Sequence, residues 1–167
     1  AEHISHEKPI LLMKSGGTGA GATAASSHTG SLAGSDTAYE CVFERAGIIR
    51  CASIKEQFDF AQAFACQPLP AGRQVAVITN AGGPGIMAAD AIERLDLTFS
   101  KLADATVTAL AAKLPAAANV HNPIDVLGDA HADRYEFALR TALDDPHIDI
   151  ALVLLTPQAM TEATATA

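Results

Sequence analysis

Tryptophan is absent and aromatic residues make up only 5% of the 167, so a core has to be built from Ala, Val, Leu and Ile. Cysteine is scarce as well. Cys41, Cys51 and Cys66 are an odd number with no C-x-x-C spacing, which indicates neither a disulfide framework nor a zinc knuckle. Basic residues are outnumbered, 11 Lys+Arg against 19 Asp+Glu, and the net charge of −8 argues against a nucleic-acid partner. No apolar run approaches the ~20 residues of a membrane span, and no charged-then-apolar leader opens the chain. What is present, 49% hydrophobic and 18% charged residues, is a globular composition. The expectation is a cytoplasmic protein without a membrane partner.

Lys8 to Met13 is a short apolar run closed by a Ser15-Gly16-Gly17 turn, and reads as a buried strand. Ser15 to Gly34 is almost entirely Gly, Ala, Ser and Thr, and reads as a loop or linker. Ser35 is placed to cap a helix carrying Tyr39, Val42, Phe43 and Ala46, with Gly47 closing it. Ile48-Ile49 reads as a strand. Ser53-x-x-Glu56 is a capping box opening a helix with Phe58, Ala61 and Ala65 on one face. The Gln67–Arg73 segment, rich in Pro and Gly, divides the chain into modules at 1–67 and 74–167.

The second module opens on Val75 to Thr79, a β-branched run suited to a strand buried on both faces. The Asn80–Gly85 turn leads into a helix through Ile86, Ala89, Ala91 and Leu95. Further helices are expected over Ala103–Lys113 and Ala132–Leu143, with strands at Ile124–Leu127 and Ile148–Leu155. The alternation predicts an α/β fold of two parallel-sheet modules. Each module is short of the usual strands, so both are expected to be truncated and to leave sheet edges that favour oligomers or interdomain pairing.

Ligands of open α/β sheets collect at the carboxyl ends of the strands. Three loops qualify: Ser15–Gly34, Asn80–Gly85 and Thr156–Met160. In the first, His28 stands among Ser26, Ser27, Thr29, Gly30 and Ser31, small residues that cannot wedge it into a core. A neutral imidazole there keeps a lone pair for nucleophilic attack, although a solvated loop histidine fits the same pattern. The Asn80–Gly85 turn is a possible anion cradle, yet its glycines at 82, 83 and 85 do not match G-x-G-x-x-G, and a plain tight turn explains them equally. Gly128-Asp129-Ala130 has the same two readings, anion amides or a helix capped by Asp129. His3-x-x-His6 lacks a third ligand, and His121, His131 and His147 stand apart in sequence, so no metal is expected.

KPILLMKSG followed by SSHTGSLAGSD, a helix and AGIIR resembles the end of the second domain of NDP-forming acyl-CoA synthetases. These include ADP-forming acetate–CoA ligase and the succinate–CoA ligase alpha subunit. QVAVITNAGGPGIMAADA, NPIDVLGDA and DIALVLLTPQAMT are similar to the next, flavodoxin-like domain of that family. The resemblance covers essentially the whole chain. It implies an exchange of acyl-CoA, ADP and phosphate for acid, CoA and ATP through an acyl phosphate and a phosphohistidine. His28 matches that histidine, with Ser27, Thr29, Gly30 and Ser31 as loop support. Asn80, Ala81 and Gly82, with Gln158 and Ala159 facing them, match the substrate and phosphate region.

The same resemblance implies CoA, ADP or ATP, and Mg for the intact enzyme, with none of them bound within this chain. It places the CoA-binding and ATP-grasp domains outside the chain, as further domains or a separate subunit. The glutamate that holds the phosphohistidine falls upstream in the family pattern, and Glu2 is too close to the first strand to replace it. The isolated segment is therefore expected to be inactive. Two other readings stay open on sequence: a regulatory acyl-CoA-binding segment of a protein lysine acetyltransferase, and a plain α/β scaffold. The retained His28 favours the enzyme.

Overall fold

The computed structural model describes residues 2–5, 7–29 and 35–167, and the chain divides into units spanning 1–69 and 70–167. In the first unit, after a short helix α1 (Glu2–Ser5), strand β1 (Ile10–Leu12) pairs in parallel with β2 (Ile48–Arg50), in the register Ile10↔Ile48 to Leu12↔Arg50. Between them lie α2 (Gly19–Thr29) and α3 (Asp36–Arg45), and α4 (Ile54–Cys66) follows β2. Gly47 has φ +62°, the left-handed conformation that lets the chain leave α3 and enter β2.

Several expectations change here. The small-residue segment is not a loop throughout: residues 19–29 are helical. Thr18 caps this helix, its Oγ1 accepting from Gly21 N at 3.1 Å, and the four alanines Ala20, Ala22, Ala24 and Ala25 carry the best helix propensity. Ser35 stands at the N-cap of α3 but makes no side-chain cap bond. Ser53 does cap α4, accepting from Glu56 N at 3.1 Å, while Glu56 reaches back to Ala52 N. The inward residues of α4 are Gln57, Phe60 and Phe64; Phe58 is 70% exposed. Gln57 explains the rotation, since its Nε2 donates to Leu11 O at 3.2 Å and turns that face towards β1.

The second unit is built on β3 (Gln74–Thr79), whose residues Val75 to Thr79 are all buried. β6 (Ile150–Leu154) runs parallel along one edge of it over the register Val75↔Ile150 to Thr79↔Leu154. The other edge carries two short parallel strands end to end: β4 (Thr98–Phe99) at Gln74 and Val75, and β5 (Ile124–Asp125) at Ile78 and Thr79. β4 is too short to leave a period in the sequence. Helix α5 (Gly82–Arg94) covers one face, with Ala88 and Ile92 on Val75 and Val77. Helices α6 (Asp104–Lys113) and α7 (Ala132–Leu143) cover the other, packing Leu110, Tyr135, Ala138 and Ala142 on Ala76 and Ile78. A last short helix, α8, spans Ala163–Thr166.

The buried stripe of α5 is Gly85, Ala88 and Ile92, while Ile86 and the C-cap residue Leu95 are 64% and 69% exposed. The reason is close approach. A Cβ on Gly85 would lie 3.2 Å from Thr79 Cγ2 and 3.3 Å from Pro123 Cγ, so the first turns of the helix lie directly on the sheet at Gly85.

Between β4 and β5 the ladder on β3 is interrupted, and Asn122 fills the gap. Its Oδ1 accepts from Val77 N at 2.8 Å, and its Nδ2 donates to Val75 O at 2.8 Å and to Ser100 O at 2.9 Å. The carboxamide thus imitates the missing strand residue. Asn122→Ala should destabilise the protein by ~1–3 kcal/mol, the cost of leaving the Val77 N–H without its partner, since Val75 O keeps its bond from Ser100 N. A shift of the urea-unfolding midpoint at unchanged slope measures this, and no shift would contradict the bridging role.

Candidate functional site

All four strands of the second unit are parallel, so the loops after β3, β5 and β6 gather at one carboxyl edge, where α/β sheets bind ligands. The turn after β3 is set by Thr79, whose Oγ1 accepts from Ala81 N at 3.1 Å and donates to Ala81 O at 3.0 Å. Helix α5 then starts at Gly82 without a side-chain cap at Ala81. Cβ atoms at Gly82 or Gly83 would meet nothing within 4 Å, so the first amides of α5 open to solvent and carry the positive end of the helix dipole.

Asn80 is 2% exposed, and both polar atoms of its carboxamide bond Thr156. Nδ2 donates to Thr156 O at 2.9 Å and Oδ1 accepts from Thr156 N at 2.8 Å. The side chain therefore clamps the loop after β6 to the turn after β3, leaving main-chain groups to face a ligand. Beneath them, the Tyr135 hydroxyl donates to Leu154 O at 3.1 Å; burial, with the nearby Asp125 charge, pushes its pKa up to about 12. Beyond the clamp, Gln158 N is bonded by Thr161 Oγ1 at 2.7 Å, and Gln158 Nε2 reaches Asn80 O at 3.5 Å. Gln158 and Ala159 are exposed. The fold thus assembles Asn80, Ala81, Gly82, Gln158 and Ala159 at one edge, from positions almost eighty residues apart.

Asp129 does not cap α7; His131 occupies the N-cap, and Asp129 instead pairs with Arg134 at 2.7 Å, a bond that holds its carboxyl below the usual range. Two histidines that look isolated in sequence have acidic neighbours. His131 Nδ1 lies 3.3 Å from Glu162, and His147 Nδ1 lies 3.6 Å from Asp145. Among the described residues no group of three His, Cys, Asp or Glu stands where it could hold a metal; His6 lies outside them.

In the first unit, His28 belongs to the last turn of α2 rather than to a loop. The side chains of His28 and Thr29, and all of Gly30 and Ser31, lie outside the described residues. Ser27 Oγ donates back to Thr23 O at 3.0 Å, within the helix. At the carboxyl ends of β1 and β2 stands an ion cluster that sequence reading missed. Arg50 bonds Asp36 at 2.8 and 3.0 Å and also pairs with Glu40, while Lys14 lies 3.8 Å from Asp36. The Arg50 hydrogen bond is the main force holding the Asp36 carboxyl below its usual range. A Cβ on Gly17 would lie 3.0 Å from Asp36 Oδ1, so the start of α3 rests directly on the chain entering α2. Opposite charges fourteen residues apart leave no period in a sequence; the packing of α3 on β2 brings Asp36 and Glu40 to Arg50, and the pairing of β1 with β2 adds Lys14.

Residues 1–64 match the succinyl-CoA ligase like flavodoxin domain, and residues 75–163 match the Ligase-CoA domain, which alone accounts for more than half of the chain. The chain belongs to the NDP-forming acyl-CoA synthetase family. It is 43% identical over 159 residues to acetate–CoA ligase (ADP-forming) I of Archaeoglobus fulgidus, covering 95% of this chain and 23% of that protein. It is 40% identical over 154 residues to the alpha subunit of acetate–CoA ligase (ADP-forming) II of Pyrococcus furiosus, covering 92% and 34%. Among solved structures, an acetyl-coenzyme A synthetase 1 of Candidatus Korarchaeum cryptofilum, in complex with phosphate and ADP, superposes with a TM-score of 0.89. That match is 35% identical and covers 99% of this chain and 36% of the other. The synthetase-family chain described here thus spans about a quarter to a third of these relatives. No helix among its described residues is long and apolar enough to cross a membrane.

Proposed function

We propose that this chain is part of an ADP-forming acyl-CoA synthetase of the acetate–CoA ligase type. The observation that carries the reading is the 43% identity to such a ligase along 95% of the chain. The uncapped glycine start of α5, at the carboxyl edge of β3, supports it, because that is where an anion such as phosphate is stabilised. In this reading phosphate displaces CoA from acyl-CoA and gives an acyl phosphate. The His28 nitrogen lone pair attacks its phosphorus, the bond to the carboxylate oxygen breaks, and the free acid leaves. ADP then takes the phosphoryl group from His28 and becomes ATP. The Gly82 amide at the exposed start of α5, with Ala81, Gln158 and Ala159 lining the same edge, receives the phosphate and acyl phosphate, and Asn80 holds the two loops in register. Ser27, Thr29, Gly30 and Ser31 flank the carrier.

The first unit is then the carboxy-terminal part of a succinyl-CoA-ligase-like domain carrying the phosphohistidine, and residues 74–167 belong to a second flavodoxin-like domain. CoA and Mg–nucleotide sites come from CoA-binding and ATP-grasp domains of the same chain or of a partner subunit, in a cytoplasmic oligomer. The test is to incubate the full-length protein with radiolabelled ATP or with labelled acyl phosphate. Label is expected on a phosphoramidate, lost in acid and stable in alkali. Acid-stable label, or none from either donor, would refute the carrier step.

A further inference from the structure

We propose that Gly128 is a positioning residue that sets the Gln158 carboxamide, and through it the phosphate affinity of the site; this rests on the reading above, in which Gln158 touches that ligand. Gly128 lies in the loop between β5 and α7. A Cβ built there would collide with Gln158 Oε1 and would lie 3.0 Å from both Cδ and Nε2, so the carboxamide rests on the bare Cα. Gly128 is outside the left-handed region, so its backbone does not demand glycine, whereas its neighbour Leu127 does adopt that conformation, with φ 72°. What a side chain at 128 would have to displace is the Gln158 carboxamide.

The surroundings leave Gln158 little other freedom. Its main chain is bonded on both sides by Thr161, N to Oγ1 at 2.7 Å and O from Oγ1 at 2.8 Å. Two residues earlier, Thr156 is clamped by Asn80. On the other side, Leu127 N donates to Asp125 Oδ1 at 2.9 Å and Ala130 N to Leu127 O at 3.1 Å, which fixes the loop beneath. With both backbones held, the carboxamide is the group that yields when a methyl is added. Because that methyl meets the far end of a flexible side chain, Gly128→Ala should fold normally and only displace the amide.

The experiment uses the full-length enzyme and compares Gly128→Ala, Gln158→Ala and the double variant in the acyl-CoA, phosphate and ADP direction. Gly128→Ala is expected to raise KM for phosphate about five- to tenfold, the loss of one hydrogen bond, with KM for acyl-CoA and the unfolding midpoint unchanged. The double variant should be no worse than Gln158→Ala, because both act on one group. The side-chain amide resonance of Gln158 should shift in Gly128→Ala. Additive effects, an unchanged phosphate KM, or an unshifted resonance in an otherwise active enzyme would overturn the role of Gly128 alone. A wild type without phosphate-dependent turnover would overturn both this proposal and the reading beneath it.

Discussion

Replacing His28 by asparagine in the full-length enzyme is expected to abolish phosphoenzyme formation and to lower turnover by on the order of 10⁴-fold or more, the scale seen when a covalent nucleophile is removed. Asparagine roughly keeps the size and hydrogen bonding of histidine, but its amide nitrogen has no lone pair free to attack phosphorus. The variant should still bind acyl-CoA, because the CoA site is proposed to lie in another domain. Loss of labelling from both ATP and acyl phosphate, with acyl-CoA binding within about twofold of wild type, is the predicted pattern for a group whose only task is nucleophilic. Retained label on the variant would move the carrier to another residue. The same substitution should leave thermal stability nearly unchanged. His28 occupies the last turn of α2, where helix ends contribute little to stability, and asparagine is tolerated at such positions.

Asn80→Ala is the second large effect, and it strikes stability and function together. Both polar atoms of this side chain are spent on Thr156, and the residue is 2% exposed. Water cannot easily replace the lost carboxamide, so the Thr156 N–H and C=O would be left without partners. We expect a loss of about 2–5 kcal/mol, more than at Asn122, where partial exposure lets solvent compensate. The freed loop carries Gln158 and Ala159, so the phosphate KM should rise as well. Urea unfolding of the protein, paired with phosphate titration of the full-length variant, separates the two effects. A variant of wild-type stability would show that the clamp carries no weight.

Some of this was legible without coordinates. Val75 to Thr79 reads as a strand buried on both faces because five consecutive residues lack any polar alternation, and it is the central strand. The Ser53–Glu56 cap and the left-handed Gly47 are local chemistry and follow from adjacent residues. The pattern around His28 and the Asn80–Gly85 turn was enough to suggest the family. Other features needed the tertiary structure, and for one physical reason: they arise from partners far apart in sequence. The orientation of α5 depends on how closely Gly85 approaches Thr79 and Pro123, which leaves Ile92 buried and Ile86 and Met87 facing outward. Asn80, apparently a ligand group, is committed to a carbonyl and an amide at Thr156. Asn122 completes a strand ladder that no periodicity reveals. Residue types and spacing determined the α/β class and the candidate chemistry, whereas the long-range pairing of β3 with β5 and β6 decided which atoms remain free to meet a ligand.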